Sequence, residues 1–538
     1  MRQEENRRIY VFKLTLVATL GGLLFGYDTA VVSGAIKAIR EFFVIPLTLD
    51  SNQAEKVIYE YRIAVGLAVL VVVSAVCSML FKLYSRRKSI SLSGVLFVIA
   101  GLLLLWQFHK SPNLSENSVN AITGFAVSSA LFGCIIGGSF AGFISSGLGR
   151  KNGLILSALL FLISALGSAF PEKMIFVGVH PLISFIFYRI IGGVGIGLAS
   201  MLSPMYIAEI APAGIRGKLV SWNQFAIIFG MLVVYFVNWF ISRQGDEQWN
   251  VLIGWRWMFL SGAIPAFLFM TLLFFIPETP RFLVLNNKQT KAKEILTKLV
   301  GPVEAEANMK AIIETMVSKS APWLSFGSLV IFVSIMLASF QQLMGINVIL
   351  YYAPKIFQNM GTKLDISLLQ TSLVGVVNLI FTLLAIYSVD KIGRKPLLVA
   401  GGLIMALAMS MVGFTFFRED LGIKALVFIL LYIAGFALSW GPVMWVVLSE
   451  IFPNSIRGAM SMATATVWIS NMIISWSFPV LDDNPWLVEK FHHGFVYWIY
   501  AIICLVAVFF VIKMVPETKG KSLEQIEKQW LKNSNNDR

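Results

Sequence analysis

The sequence predicts an all-α polytopic membrane protein, built as two six-helix bundles with an additional transmembrane hairpin inserted into the first half. Two observations lead to this fold class. First, the 538 residues are 57% hydrophobic and only 13% charged, and the mean hydropathy is +0.77. This composition is far more apolar than that of a soluble domain. Second, charged loop motifs of the first half recur once, in the same order, in the second half.

The internal repeat is carried by three motifs. Residues Glu209–Gly217 read Glu-Ile-Ala-Pro-Ala-Gly-Ile-Arg-Gly, and Glu450–Gly458 read Glu-Ile-Phe-Pro-Asn-Ser-Ile-Arg-Gly. An apolar chain that repeats its loop motifs in this way is typical of a transporter made of two halves. The flanking motifs repeat as Gly149-Arg150-Lys151 and Gly393-Arg394-Lys395, and as Pro277-Glu278-Thr279 and Pro516-Glu517-Thr518.

Apolar segments long enough to span a bilayer as helices, about 20 residues each, predict fourteen spans. A polar stretch at 280–322 separates eight spans from six, and it predicts a cytoplasmic helical linker. The domains are therefore a first bundle at 1–279, the linker, a second bundle at 323–516 and a cytoplasmic tail at 517–538. The spans begin near Val11, Ile63, Ile90, Ala121, Gly153, Leu182, Leu219, Trp255, Ser325, Ser367, Pro396, Ala425, Met460 and Val496.

The two surplus spans of the first half are predicted to form a transmembrane hairpin over about 62–108. A basic turn, Lys82–Lys88, joins the two arms and indicates that they turn in the cytoplasm. An even number of added spans leaves the orientation of all later helices unchanged. The alternative is that the pair forms a single re-entrant or peripheral element.

Clusters of Arg and Lys predict the orientation in a bacterial cytoplasmic membrane. By the positive-inside rule, the N-terminus, the two Gly-Arg-Lys turns and the C-terminal tail lie in the cytoplasm. The same clusters account for the formal net charge of +14, so we expect no binding of nucleic acid. No cleavable signal peptide is expected either.

The sequence does not support an enzyme. Cys77, Cys134 and Cys504 are scattered in apolar segments, and the four histidines lack a metal-binding spacing. No nucleophile–base pair or phosphate-binding loop is found. We therefore expect neither a metal nor a cofactor, apart from a proton as the coupling ion.

Two charged residues lie inside predicted spans. Asp28 lies in the first span and Arg189 in the sixth, each about eight residues, or roughly 12 Å, from the outer end. They are therefore expected to meet at equal depth. A carboxylate in the membrane is costly unless it is paired, protonated or functional. We predict that Asp28 binds the coupling proton and that Arg189 stabilises its ionised form until the two separate. The alternative is a static structural ion pair.

Amide and aromatic side chains of the second half are candidates for binding a neutral sugar. Gly345 and the Gly441-Pro442 pair can interrupt the spans that carry them, and broken helices near the midplane are where transporters build binding sites. Amides donate and accept hydrogen bonds, and rings cover the apolar faces of a sugar. Packing bulk is the alternative for each ring. The candidates are Gln341, Gln342, Asn347, Tyr351 and Trp440.

The repeated loop motifs predict a gate of charged residues at the cytoplasmic helix ends. Ion pairs there would close the inner side and would have to break for substrate release. Solvated charges without a gating role are the alternative. The residues assigned to this gate are Arg150, Glu209, Arg216 and Glu278 in the first half, Arg281 at the start of the linker, and Asp390, Arg394, Glu450 and Arg457 in the second half.

Seven motifs in order resemble the sugar-porter family of the major facilitator superfamily, and within it the bacterial D-xylose–proton symporters. They are Gly-Tyr-Asp-Thr-Ala, Tyr-Arg-Ile-Ile-Gly-Gly, Pro-Met-Tyr-Ile-Ala-Glu, Pro-Glu-Thr-Pro-Arg, Gln-Gln-x-x-Gly-Ile-Asn, Val-Asp-Lys-Ile-Gly-Arg-Lys and Pro-Glu-Thr-Lys-Gly. The resemblance covers nearly everything except about 52–118. It implies the major facilitator fold with alternating access, and proton coupling through Asp28. It also implies sugar contacts at Gln224, Gln341, Gln342, Asn347, Trp440 and Trp468, with Tyr351 nearby.

Three positions depart from the pattern of this family. Val467 and Met231 stand where the symporters carry glutamine, so the pocket is expected to be more apolar on two walls. The turn Ser146–Lys151 lacks the acidic residue that the second half keeps as Asp390. The extra hairpin belongs to no part of the family pattern.

These features together predict a proton-coupled monosaccharide symporter that imports sugar by alternating access, with D-xylose ahead of a hexose. A passive sugar facilitator is the near alternative, and a membrane sugar sensor that does not transport is the more distant one. The expected partners are the sugar, the proton and the lipid bilayer, and the protein is expected to be a monomer.

Overall fold

The structure is a computed structural model that describes residues 2–83, 86–109, 115–173, 179–212, 215–317, 328–451 and 460–519. These residues form helices joined by turns, and no strand occurs among them. The all-α class predicted from the composition is therefore confirmed.

The first half begins with a long helix that continues through short 3₁₀ and π turns as far as Thr48. Its helices are α1 (Arg2–Val31), α2 (Ile36–Ala38), α3 (Ser51–Leu83), α4 (Arg86–His109), α5 (Glu116–Gly147), α6 (Arg150–Ala169), α7 (Pro181–Ile210), α8 (Arg216–Ser242), α9 (Glu247–Trp249), α10 (Trp255–Ser261) and α11 (Ala263–Phe274).

A group of three short helices separates the halves, within the stretch predicted as a helical linker. These are α12 (Pro280–Leu285), α13 (Gln289–Val300) and α14 (Pro302–Val317). The second half contains α15 (Ser328–Leu343), α16 (Ile346–Asn359), α17 (Leu364–Ile392), α18 (Arg394–Phe417), α19 (Ile423–Leu438), α20 (Trp440–Ile451), α21 (Met460–Asp482), α22 (Pro485–Phe491) and α23 (Phe495–Met514).

Twelve helical segments of the described chain are long and apolar enough to cross a membrane. The predicted count of fourteen spans is therefore not confirmed. The spans predicted near Ile90 and Met460 form α4 and α21, but neither is among the twelve. The first arm of the predicted hairpin does qualify, over Gln53–Ser78. Its helix begins at Ser51 rather than near Ile63, because polar residues such as Gln and Glu extend a helix as well as apolar ones do.

Helix breaks in the second half occur near the predicted positions. Gly345 adopts a left-handed conformation (φ 95°) between α15 and α16, which a residue without a Cβ adopts at no steric cost. The second break lies at Ser439, before the predicted Gly441-Pro442 pair. Pro442 instead occupies the first turn of α20, where its missing N–H would have no partner within the helix.

Two opposite faces of the helix bundle can be defined from contacts. On the termini face, the Arg7 side chain at the start of α1 donates to the Val300 carbonyl oxygen of the linker (3.5 Å). On the distal face, Arg40, beyond the far end of α1, pairs with Asp483 at the end of α21 (3.3 Å). The halves therefore meet directly on the distal face.

The seam between the halves is formed mainly by α5 against α21 and by α8 against α17. Towards the distal face, the Trp476 indole N–H donates to the Ala121 carbonyl oxygen (3.0 Å), and Asn120 donates to the backbone of Asp483 (3.2 Å). Gly124 permits this approach, since a Cβ there would lie 2.6 Å from the Trp476 carbonyl oxygen. The distal part of the seam is closed.

Candidate functional site

Asp28 and Arg189 form a buried ion pair between α1 and α7. Arg189 Nη1 lies 2.9 Å from Asp28 Oδ1, and Nη2 donates to the backbone carbonyl oxygen of Asp28 (3.0 Å). The Arg189 side chain is 1% exposed and that of Asp28 is 12% exposed. The guanidinium thus holds both the carboxylate and the backbone of one residue, as a planar donor array can.

The second carboxylate oxygen of Asp28 has no such partner. Asp28 Oδ2 and Arg189 Nε are both buried, and neither has a hydrogen-bond partner among the described residues. A small cavity lined by Tyr27, Asp28, Phe161 and Phe259 lies beside the carboxylate. A buried polar atom without a partner is costly, so Oδ2 is the atom of this pair best placed to take a water molecule or a proton.

Amide side chains form a chain of hydrogen bonds across the breaks in the second half. Gln341 Nε2 donates to the carbonyl oxygens of Trp440 and Gly441, both at 3.2 Å. Gln342 donates to Gln341 Oε1 (3.0 Å), and Asn347 donates to Gln342 Oε1. The breaks thus place the amides of α15 and α16 beside the start of α20. Rings and amides of this kind suit a polar ligand without charge.

The two predicted tryptophans differ in their hydrogen bonding. The Trp440 ring is fully buried, and its indole N–H donates to the Leu398 carbonyl oxygen (2.9 Å). The Trp468 N–H is also buried but has no partner among the described residues. The Trp468 ring lies 5.5 Å from the ring of Phe25, one helical turn before Asp28. Trp468 therefore offers a free donor on the seam between the amides and the ion pair, and Trp440 does not.

The remaining predicted contact residues are Tyr351 and Gln224. Tyr351 is buried, and its hydroxyl oxygen accepts from Asn471 Nδ2 (3.3 Å). Asn471 was not predicted, although its position one turn after Trp468 on an apolar helix was a usable signal. Gln224 is half-buried on α8, and no hydrogen bond joins it to the amide chain within the described part of the chain. Met231 and Val467, the two departures from the family pattern, are both buried.

On the termini face, the predicted gate residues of the first half tie helix ends together. Arg150 donates to Glu209 Oε1 through Nε (3.2 Å) and Nη2 (2.8 Å). Glu278 accepts from the backbone N–H groups of Arg150 (3.1 Å) and Thr279 (2.8 Å). A carboxylate at the start of a helix such as α6 is stabilised by the unpaired N–H groups and the helix dipole.

The second half repeats this arrangement. Arg394 donates to both carboxylate oxygens of Glu450 (2.8 and 3.2 Å), and Glu517 accepts from the backbone N–H groups of Arg394 (3.2 Å) and Lys395 (3.0 Å). Glu517 was missing from the predicted set, although the repeated Pro-Glu-Thr motif marked it. All of these bonds join elements within one half.

The two loop carboxylates, Glu278 and Glu517, differ in burial, and their pKa values shift in opposite directions. Burial raises the pKa of Glu278 above its ordinary value, although backbone N–H groups oppose the shift. Glu517 is less buried, so its backbone N–H donors outweigh desolvation and lower its pKa.

Two of the other predicted gate residues do not join these clusters. Arg216 and Arg281 are exposed, and neither forms an ion pair with a described residue. For these two positions the solvated-charge alternative fits better, because an exposed arginine keeps its hydration. Asp390 lies in α17, and Arg457 lies outside the described residues.

The structure also shows a charged cluster on the distal face that was not predicted. Lys355 Nζ lies 2.5 Å from Asp483 Oδ2 and 3.6 Å from Asp482 Oδ2, and His493 Nδ1 lies 3.3 Å from Asp482 Oδ1. The two aspartates and His493 have the spacing of a metal site, but Lys355 and Arg40 already supply positive charge there. The cluster joins the halves, because Arg40 belongs to the first and Asp483 to the second.

Comparisons with known proteins find matches along nearly the whole chain. A family model described as "Sugar (and other) transporter" matches residues 14–114 and 105–530. The D-xylose-proton symporter of Escherichia coli (strain K12) is 46% identical over 536 residues, which cover 97% of this chain and 96% of that protein. The glucose facilitated diffusion protein of Zymomonas mobilis is 36% identical over 531 residues, which cover 98% of each chain.

A solved structure shares the fold as well. The inward-open conformation of the xylose transporter XylE from E. coli is 45% identical, with a TM-score of 0.76, and the match covers 97% of this chain and 100% of that chain. The family matches run through about 52–118, which was expected to lie outside the resemblance.

Proposed function

Because the chain belongs to the sugar transporter family of the major facilitator superfamily, we propose that it is a proton-coupled monosaccharide symporter with D-xylose as its first candidate substrate. The observation that carries the proposal is the buried pair of Asp28 and Arg189, whose Oδ2 and Nε lack hydrogen-bond partners among the described residues. The relative that is 46% identical is a D-xylose-proton symporter, which supports both the substrate and the coupling ion.

In this proposal the proton binds Asp28. The ionised carboxylate is stabilised by Arg189, and protonation removes the charge that holds the two helices α1 and α7 together at this point. The pair then loosens, and the bundle can change conformation. Neutralising Asp28 leaves the buried Arg189 guanidinium without its counter-ion, and this cost favours a conformation in which Arg189 finds other partners.

The sugar is proposed to bind on the seam, between the amide chain of α15 and α16 and the free N–H of Trp468. Gln341, Gln342 and Asn347 supply paired donors and acceptors, which match the hydroxyl groups of a sugar. The buried Met231 and Val467 leave fewer hydrogen-bonding groups on two walls of the proposed pocket. The proposed order of a pentose ahead of a hexose rests on the similarity to the D-xylose-proton symporter. Gln224, Tyr351 and Trp440 complete the proposed pocket walls.

We propose that, during alternating access, the two charged clusters on the termini face keep the helix ends of each half together. Arg150 with Glu209, and Arg394 with Glu450, hold helix ends within each half, so each half can move as one body. The distal cluster of Arg40, Lys355, Asp482, Asp483 and His493 closes the other face in the conformation described here.

The membrane arrangement is proposed as fourteen spans in a bacterial inner membrane, with both termini in the cytoplasm and the protein as a monomer. The hairpin helices α3 and α4 have 33 and 24 residues, which at about 1.5 Å per residue is enough to cross the hydrocarbon core. The basic turn Lys82–Lys88 supports a cytoplasmic position for the end of the hairpin.

A passive sugar facilitator is the second candidate. The glucose facilitated diffusion protein of Zymomonas mobilis is 36% identical along nearly all of this chain, so the family similarity alone does not separate uniport from symport. In a facilitator, Asp28 and Arg189 would form a static structural ion pair that does not bind a coupling proton.

Uptake of labelled xylose into proteoliposomes with an imposed proton gradient separates these candidates. We expect wild-type accumulation to be abolished by a protonophore, and Asp28→Asn to lose accumulation while it still exchanges sugar. Asp365→Asn, an exposed aspartate at the start of α17, is the matched control and should behave like wild type. Accumulation that survives in Asp28→Asn would rule out coupling through this residue.

A competition panel in the same vesicles tests the substrate. Unlabelled D-xylose should compete better than D-glucose, as expected from the 46% identity to a D-xylose-proton symporter. Stronger competition by glucose would contradict the pentose assignment.

A further inference from the structure

The first arm of the inserted hairpin is part of the protein core rather than an appendage. Along the first half of α3, buried residues recur every three or four positions, which gives one continuous apolar face. The other side of the helix is exposed, as Leu67 shows with 53% exposure. The residues of the buried face are Ala54, Val57, Ile58, Tyr61, Ala64, Val65 and Ala68.

This buried face contacts both halves of the molecule. Helix α3 packs against α5 and α7 of the first half and also against α21 of the second half. A helix that touched only the first half would move with it during a conformational change. Contact with α21 means that α3 lies across the seam at its distal end.

A chain of aromatic rings shows where this contact lies. The Tyr61 ring meets the Phe125 ring edge-on at 5.3 Å, and Phe125 in turn meets Trp476 of α21 at the same distance. Trp476 is the residue whose indole N–H donates to Ala121 across the seam. Tyr61 is 6% exposed, so its ring is enclosed in this cluster. Edge-to-face ring pairs contribute beyond the burial of their area.

We propose that the face of α3 around Tyr61 is a docking surface for α21, occupied while the distal face is closed, and that the hairpin thereby favours the conformation closed on that side. The proposal rests on the alternating-access part of the proposed function, but not on the identity of the sugar or on proton coupling. When the distal ends of α5 and α21 separate, Trp476 must leave the ring cluster to which Tyr61 contributes. Separating these rings raises the free energy of the open form relative to the closed one.

The distance between the two halves on the distal face tests the proposal directly. Spin labels attached to Asn117→Cys on α5 and Glu489→Cys on α22 report this distance, since both positions are exposed and belong to opposite halves. The native cysteines Cys77, Cys134 and Cys504 are buried. The full chain is measured in lipid nanodiscs by pulsed electron paramagnetic resonance, without sugar and at fixed pH.

We expect Tyr61→Ala to raise the ratio of long to short distances by roughly two- to tenfold, the equilibrium shift that corresponds to one aromatic pair. Tyr61→Phe keeps the ring but removes the hydroxyl that interacts with Trp476, so it should give a smaller shift than Tyr61→Ala. Leu67→Ala removes an exposed side chain from the same helix and should also leave it unchanged. Tyr61→Leu keeps most of the buried volume without the ring, so it gives the same expected shift if the alanine variant does not fold.

A distribution in Tyr61→Ala and Tyr61→Leu that matches Leu67→Ala would overturn the proposal. Loss of transport is not the readout, so failure of proton coupling in the vesicle assay and failure of this docking surface remain distinguishable. If the protein is a uniporter, Tyr61→Ala should still shift the distance distribution. If it is a symporter and no shift occurs, proton coupling stands and only the proposed role of α3 is rejected.

Discussion

At the scale of single residues, the site depends on which polar atoms are left without a partner. Trp440 and Trp468 carry the same side chain, yet the N–H of one is bound to Leu398 and that of the other is unpaired among the described residues. Asp28 shows the same contrast within one carboxylate, where Oδ1 is bound by Arg189 and Oδ2 is not. Unpaired buried atoms are the ones that a ligand can satisfy.

The tryptophan pair gives a matched prediction. Trp468→Phe should weaken sugar binding by roughly three- to tenfold, the effect of removing one neutral hydrogen bond, with little change in thermal stability. Trp440→Phe should instead lower the free energy of unfolding by about 1–3 kcal/mol, because the Leu398 carbonyl oxygen is left buried without its donor. Binding titrations and thermal unfolding of both variants in detergent check this. Equal effects of the two substitutions on affinity would contradict the assignment.

At the scale of elements, the repeated Gly-Arg-Lys turns act as helix starts. Gly149 (φ 93°) and Gly393 (φ 107°) immediately precede α6 and α18. Both adopt a backbone conformation that residues with a Cβ rarely adopt. A Cβ at Gly149 would lie 2.3 Å from Glu278 Oε2. The glycine, the helix N-terminus and the carboxylate therefore form one unit in each half, which explains why the motifs recur together.

Gly149→Ala should therefore destabilise the protein by about 1–3 kcal/mol through backbone strain, with a further loss because the Glu278 carboxylate is displaced. Gly147→Ala is the matched control, since nothing lies within 4 Å of a Cβ at that position at the end of α5. Thermal unfolding of both variants in lipid nanodiscs measures the difference. Similar melting temperatures for the two would show that the turn does not require its glycine.

At the scale of the whole molecule, charged side chains hold the two halves together on the distal face. Arg40 comes from the first half, and Lys355, Asp482, Asp483 and His493 come from the second. Burial lowers the pKa of His493, but the hydrogen bond to Asp482 and the charges of Asp482 and Asp483 outweigh it, so the pKa lies above its ordinary value despite Lys355. Protonated His493 thus stabilises the carboxylate cluster.

The sign of the pH dependence follows from this shift. Below the ordinary histidine pKa of about 6.5, the contribution of His493 to stability is fully present, and it is lost as the pH rises through the raised value. His493→Asn should therefore reduce the free energy of unfolding at pH 6 more than at pH 9. His492→Asn, which removes an exposed pairing with Glu419 beside His493, is the control. Thermal unfolding over this pH range provides the measurement, and a difference between pH values that is equal in both variants would contradict the assignment.

The helices, the repeat and one helix break could be predicted because each depends on residues that are close together in the sequence. Membrane-spanning helices can be predicted from the length and composition of apolar segments, which charged turns separate along the chain. Repeated motifs predict that both halves use the same loop chemistry, which the parallel bonds of Arg150 and Arg394 display. The position of the helix break at Gly345 follows from one residue without a Cβ.

The amino-acid sequence by itself determined the helical class, the duplication, the family and the placement of Asp28 and Arg189 on helices that face each other, because these depend on hydropathy, charge and motif order. Only the tertiary structure decided which donors remain free, that the distal cluster of Arg40, Lys355 and Asp483 joins the halves, and that α3 lies across the seam. These features depend on residues far apart in the chain. Their partners are chosen by packing between helices, and packing leaves no periodic signal in the sequence.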